Sequence, residues 1–304
     1  MKSFKIIIAG LDYAGKTSSI IALRQKYNFY EQVKNLKPTI KIEYNTFDFL
    51  NEYEINLWDM GGQAKYRKMY LDRPAYFEDT NYIYYYIDIQ DREKITTSIN
   101  YLKELLNIFR DLEYENEIII CIHKYDPKLR RDKVVLDRIR DIKDQLNKIP
   151  DFEFKFFRTS IFDIASLSKA ISYSLNKLID LKALDLALKS LMRKFNGNYA
   201  VLYTDDGVIL VDSYRKVLDS MQYEQDIKEN ISHDLVLIQK LKDDNVEFSE
   251  RVDYNDDVIE YLKKYDINGN SFFLKMSTPN LEEEEINLLK QNFKNFEKDI
   301  KDVI

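Results

Sequence analysis

Residues 10–18 read "GLDYAGKTS". They follow the β-branched run "FKIIIAG" (4–10) and lead into a stretch of helical character from Lys16 to Tyr27. A strand ending in glycine, a G-x-x-x-x-G-K-[ST] turn and a helix start, in that order, make a phosphate-cradling loop. Behind Asp12, the backbone N–H groups of Tyr13, Ala14, Gly15, Lys16, Thr17 and Ser18 can form a nest at the positive end of the helix. Gly15 lets the backbone approach closely. Lys16 supplies a point charge to β- and γ-phosphates, and the Thr17 hydroxyl can ligate Mg²⁺. The loop implies a nucleotide without saying which one.

Working outward, strands and helices alternate up to about residue 180. Strands are expected at 39–49 and 54–59, joined by "LNEY", then at 81–88, 116–123 and 152–160. Helices are expected at 94–112, 132–147 and 164–179. The near-continuous apolar runs "NYIYYYID" and "NEIIICIH" suit central strands covered on both faces, so a mostly parallel sheet is predicted. After residue 182 the order changes. A helix (182–195) precedes "YAVLYTDDGVILVDS", two strands around an Asp-Gly turn. A long helix (222–243), three strands (246–253, 257–265, 270–277) and a last helix (281–302) follow. That αββαβββα order predicts a second, smaller α+β domain, with the boundary placed between 1–181 and 182–304. One of its hairpin strands, Tyr199–Tyr203 or Ile209–Val211, is expected at a sheet edge. "LEEEE" (281–285) reads as a solvated helix start rather than a metal site.

"WDMGGQ" (58–63) closes the strand at 54–59. Asp59 is placed to hold Mg²⁺ through water, the Gly62 N–H to meet a γ-phosphate, and Gln63 to orient an attacking water. In "LKPTI", Thr39 can complete the metal shell, although alone it also reads as the start of a strand. Arg67 and Arg73 are expected in surface pairing. With no arginine obviously aimed at the γ-phosphate, intrinsic hydrolysis is expected to be slow. "HKYD" (123–126) ends another strand. Asp126 can accept both N1–H and N2–H of guanine, but would face a lone pair on adenine N1, a mismatch of about 1–3 kcal/mol. The Lys124 stem can lie along the purine, and the N–H groups of Ser160 and Ile161 in "RTSIFD" (158–163) can meet guanine O6. His123 stands where such a loop usually has asparagine.

Composition excludes little and narrows much. A net charge of −6 gives no reason to expect nucleic acid as a partner. The one cysteine, Cys121, lies in a predicted buried strand, so a reducing, cytoplasmic setting fits and no disulfide framework is expected. No apolar run approaches the roughly 18 residues of a membrane helix. Neither a signal-peptide core nor a myristoylatable glycine opens the chain, and no prenylatable cysteine closes it. Direct membrane insertion is therefore not expected, and any peripheral residence would be borrowed from a partner.

With these motifs in place, the sequence resembles a Ras-superfamily small GTPase. "GLDYAGKTS", "KPTI" and "WDMGGQ" look like the Arf branch, whereas "HKYD" with "FFRTSIFD" is similar to the Rag/Gtr branch, which carries histidine at the first position of the guanine motif. The resemblance implies a G domain binding GTP/GDP with Mg²⁺, followed by a roadblock/longin-type domain. It further implies a molecular switch that forms a homo- or heterodimer through that second domain. Activating and exchange proteins, and a membrane-attached scaffold, would then dock on the pair. A catalytically inactive, nucleotide-binding scaffold of such a dimer is the rival reading. Tyr13 departs from the small residue usual in the Arf loop.

Overall fold

The computed structural model describes residues 1–215, 221–255 and 257–304. The chain divides into two compact units, Met1–Ala170 and Ile171–Ile304.

The first unit is built from β1 (Lys2–Gly10), α1 (Lys16–Gln25), α2 (Tyr30–Lys34), β2 (Ile42–Phe49), β3 (Tyr53–Met60), α3 (Ala64–Leu71), β4 (Tyr82–Asp88), α4 (Ile95–Asp111), β5 (Ile118–His123), α5 (Lys133–Leu146) and β6 (Phe154–Arg158). These six strands form one sheet in the order β2-β3-β1-β4-β5-β6. Every pairing is parallel except that of β2 with β3. The apolar runs are central, as expected: all residues from Ile118 to Ile122 are fully buried. α4 lays Ile99, Leu102, Leu106 and Phe109 against the sheet at a 3–4-residue spacing. Asp132 caps α5, its carboxylate accepting from the N–H groups of Val134 and Val135 (2.9 and 3.2 Å).

Two details differ from the sequence-based expectation. The helices α2 and α3 are additional, each too short for apolar periodicity to declare itself. The strand expected from residue 39 begins at Ile42, which leaves Thr39 in a loop. Parallel strands direct the loops after β1, β3, β5 and β6 to one end of the sheet, where α/β folds place ligands.

The second unit begins in α6 (Ile164–Leu175) and continues with α7 (Lys182–Lys194), β7 (Tyr199–Thr204), β8 (Ile209–Tyr214), α8 (Met221–Asp243), β9 (Glu250–Asn255), β10 (Val258–Ile267), β11 (Asn270–Pro279) and α9 (Glu283–Lys301). From α7 onward the order is αββαβββα, as expected. The sheet is antiparallel throughout, ordered β8-β7-β11-β10-β9. Of the two hairpin strands, Ile209–Tyr214 lies at the edge and Tyr199–Thr204 lies inside. Helices cover both faces. On one face, α8 presents Asp234 to the hydroxyls of Tyr203 and Tyr199 (3.1 and 3.4 Å) and to the Lys275 ammonium (3.8 Å). On the other, the Phe293 ring of α9 meets Tyr261 edge-on at 4.5 Å. The acidic start of α9 is a capping box made by Glu282 and Glu285.

Candidate functional site

β1 delivers the chain into a turn that α1 closes from below. The first backbone bond of that helix runs from Ser19 N–H to Gly15 C=O (2.9 Å). The N–H groups one turn earlier, on Lys16, Thr17 and Ser18, are therefore left facing outward from the helix start. These residues line a cleft with Asp12, Tyr13, Ala14 and Gly15 on one side and Thr39, Gly62 and Gln63 on the other. The Lys16 ammonium is buried and donates to the carbonyls of Leu11 (2.7 Å) and Gly10 (3.1 Å). Burial lowers its pKa to about 8, while the charges of Asp59 and Asp12 work in the opposite direction.

Three oxygens converge beside it. The Thr17 hydroxyl donates to Asp59 Oδ2 (2.5 Å), Thr39 Oγ1 lies 2.8 Å from Thr17 Oγ1, and it also reaches Asp59 Oδ2 at 3.4 Å. The other carboxylate oxygen of Asp59, Oδ1, is buried and accepts no hydrogen bond among the described residues. Burial pushes the Asp59 pKa up to about 6, against the pull of Lys16. Two hydroxyls and a carboxylate with an unused oxygen are hard donors of the kind Mg²⁺ selects.

Gly62 sits against the phosphate loop itself. A β-carbon there would lie 2.2 Å from the Leu11 carbonyl carbon and 2.3 Å from the Asp12 nitrogen. Its glycine is thus required by the neighbouring backbone, a nearer constraint than the phosphate invoked from sequence. Its carbonyl accepts from Asp12 N–H (3.1 Å) and from Arg67 Nε (3.0 Å). Arg67 was expected in surface pairing; instead it is half-buried, with its guanidinium 5.0 Å over the Tyr101 ring. Gln63 caps α3 with its backbone and leaves its side chain without a hydrogen bond among the described residues. Across the same cleft Tyr13 stands 69% exposed at φ 60, with the Lys94 ammonium 5.5 Å over its ring.

At the end of β5, His123 is buried, and its Nδ1 lies 3.0 Å from Thr159 Oγ1. Its Nε2 lies 3.4 Å from Ser19 Oγ. That hydroxyl also donates to Gly15 C=O (2.9 Å), an arrangement that suits a proton on Nε2 and an accepting Nδ1. Gly15, at φ 90, leaves no room above the ring, since a β-carbon would come within 2.4 Å of His123 Cδ2. Burial lowers the His123 pKa to about 3, so the bracing imidazole is neutral. Asp126 accepts from the Ser160 hydroxyl (2.6 Å), and the Lys124 ammonium pairs with Asp88 (2.6 Å). The Ser160 N–H, expected to face a base, is instead donated to Ser166 Oγ (3.1 Å). That leaves the Ile161 N–H of the expected pair. Ser19, Asp88, Gln90 and Arg67 were not found from sequence as site residues, and no motif marks them.

A family model, the Gtr1/RagA G protein conserved region, matches residues 5–271. The chain belongs to the Gtr1/RagA G-protein family. This Gtr1/RagA-family chain is 29% identical over 219 residues to the Ras-related GTP-binding protein A of Dictyostelium discoideum, spanning 70% of this chain and 71% of that protein. It is 28% identical over 152 residues to the ADP-ribosylation factor-like protein 3 of Saccharomyces cerevisiae, spanning 49% and 71%. With the Ras-related GTP-binding protein B of Rattus norvegicus it shares 26% over 194 residues, 62% of this chain and 50% of that one. A solved structure of the Arl6 BBS3 small GTPase from Trypanosoma brucei, with bound GppNp, aligns at 16% identity and TM-score 0.46, covering 58% of this chain and 97% of that one. The Rag-like and Arf-like resemblances both stand, and membership makes the Gtr1/RagA-family chain a GTP/GDP-binding G protein. No helix among the described residues is long and apolar enough to cross a membrane.

Proposed function

We propose that this protein is a GTP/GDP molecular switch that hydrolyses GTP slowly with Mg²⁺ and assembles through its second unit. The observation that carries the reading is the meeting of Thr17, Thr39 and Asp59 oxygens at the end of the phosphate loop, with Asp59 Oδ1 unpartnered among the described residues. Lys16 and the amides from Tyr13 to Ser18 would bind the phosphates. Thr17, Thr39 and, through water, Asp59 would hold Mg²⁺, which when bound neutralises charge on the phosphate oxygens. The unengaged Gln63 amide is available to orient the attacking water, and the Gly62 N–H to meet the γ-phosphate. Asp126, the Lys124 stem and the Ile161 N–H would hold guanine, with His123 bracing the loop. None of the residues lining the cleft is an arginine, which supports slow turnover and a partner supplying about 10³–10⁵ in rate.

The second unit, with its αββαβββα order and a hairpin strand at the sheet edge, supports a roadblock/longin-like assembly role with a homologous chain or a second copy. Activating and exchange proteins would act on the pair, and membrane residence would come through partners. Tyr13, a bulky residue lining the cleft, favours the rival reading of a nucleotide-binding scaffold that does not turn over. Single-turnover hydrolysis of bound GTP separates the two: product formation that Gln63→Leu slows supports the switch, and none in the wild type supports the scaffold. Solution mass with GDP and with a GTP analogue tests assembly: a monomer in both states excludes self-association as the mode of dimerisation.

A further inference from the structure

We propose that Gln90 is a positioning residue for guanine selectivity, fixing the Asp126 carboxylate from a loop outside every motif in the sequence. The inference rests on the guanine-nucleotide reading above and sharpens it.

Gln90 lies just beyond the end of β4. Its side-chain nitrogen donates to the Lys124 carbonyl (2.8 Å) and to Asp126 Oδ2 (2.9 Å). Both amide hydrogens are thereby committed, and turning the amide over would set its oxygen against two acceptors. The Gln90 N–H is itself anchored on Asp88 Oδ1 (2.9 Å), while Asp88 Oδ2 receives the Lys124 ammonium (2.6 Å). One short segment thus grips both ends of Lys124-Tyr125-Asp126. The grip matters because Lys124 sits at φ 58, a conformation that non-glycine residues rarely hold unaided.

The hydrogen-bond count at Asp126 gives the chemistry. Gln90 occupies one site on Oδ2 and the Ser160 hydroxyl one site on Oδ1 (2.6 Å). A carboxylate offers about two acceptor sites per oxygen, so one remains on each. Guanine presents two adjacent donors, N1–H and the 2-amino group, and matches both. Hypoxanthine lacks the amino group and uses one. The last torsion of an aspartate is broad. Without Gln90 only the Ser160 hydroxyl holds the carboxylate, by one oxygen, so the plane of the group can turn about that contact and the paired contact that distinguishes guanine is lost first.

The test titrates the full chain with GDP, inosine diphosphate and ADP, for wild type, Gln90→Leu and Gln90→Glu, alongside thermal unfolding. The wild type is expected to prefer GDP over inosine diphosphate by about tenfold, the scale of one well-made polar contact. In Gln90→Leu that ratio should collapse towards about twofold while the protein still unfolds cooperatively, at a somewhat lower temperature. Gln90→Glu should weaken GDP further, because a second carboxylate then faces Asp126. An unchanged GDP/inosine diphosphate ratio in Gln90→Leu overturns the proposal. So does an equal loss of both nucleotides, which would mark a merely structural role. A wild type that binds ADP as tightly as GDP overturns the guanine reading itself, and this inference with it.

Discussion

Thr17 Oγ1 donates to Asp59 Oδ2 at 2.5 Å, while the partner oxygen of the same carboxylate, Oδ1, stays buried and finds no hydrogen bond among the described residues. An ionised carboxylate in that position costs folding energy, and its pKa, pushed up to about 6 by burial, reflects the cost. Asp59→Asn should therefore leave the nucleotide-free protein as stable as wild type or more so. In wild type, chelating Mg²⁺ should accelerate GDP release; in the variant, chelation should make little difference. Release rates with and without chelator check this, and an intact chelator effect in Asp59→Asn would remove Asp59 from the metal shell.

Gln63 lines the cleft, its side chain without a hydrogen bond among the described residues. Gln63→Leu should lower single-turnover hydrolysis by roughly 100-fold, the lower end of what a positioned proton-handling or water-orienting group contributes. GTP affinity should stay within about twofold, because no ground-state contact is removed. Equal hydrolysis in variant and wild type would assign the water-positioning role elsewhere.

Tyr13 adopts φ 60, where a side chain costs about 1–2 kcal/mol relative to glycine. Tyr13→Gly should raise stability by about 1 kcal/mol in urea unfolding. It should also speed nucleotide exchange, since the Tyr13 side chain, which lines the cleft, is then gone. A variant that gains stability but exchanges at the wild-type rate would show that the ring does not gate the cleft.

His123 sets a pH dependence. Folded, its imidazole takes a proton only near 3; in the unfolded chain it does so near 6.5. Its contribution is thus fully present above about 6.5 and is lost as pH falls towards 3, by about 1.4 kcal/mol per pH unit. His123→Gln removes that term, so the gap between wild type and variant should narrow from pH 7.5 to pH 5. Parallel stability curves would contradict a buried neutral imidazole.

In the second unit, Asp234 is buried against Tyr199, Tyr203 and Lys275, and burial pushes its pKa up to about 7. Asp234→Ala strips an acceptor from two buried hydroxyls and should cost about 2–3 kcal/mol in urea unfolding. Lys275 keeps Glu260 at 2.8 Å, which holds the loss below that of a broken buried ion pair. A loss under about 0.5 kcal/mol would place the network outside the stabilising core.

What was legible in the sequence follows from how each feature is encoded. The loops around Lys16, Asp59 and Asp126 have fixed spacing and strand-to-helix context, so their positions could be read directly. The sheet was legible because strands buried on both faces, such as Ile118–His123, leave unbroken apolar runs. Hidden features depend on tertiary partners. The Ser160 amide looked available until Ser166 was placed beside it, and Arg67 looked like a surface charge until Tyr101 was. Gln90 lies in no motif at all, and only the meeting of the loops after β4 and β5 gives it work. The short α2 and α3 owe their form to neighbours more than to pattern.

The neutral imidazole of His123 also acts as a ruler. It touches the phosphate loop through Gly15 and Ser19, and the base loop through Thr159 and its own backbone. In the proposed binding mode the span between purine and phosphate would therefore be gauged by one rigid ring rather than by two independent loops. Ligands with the right base and the wrong reach, or the right reach and the wrong base, should each forfeit more than half of the affinity, because the two ends cannot adjust separately.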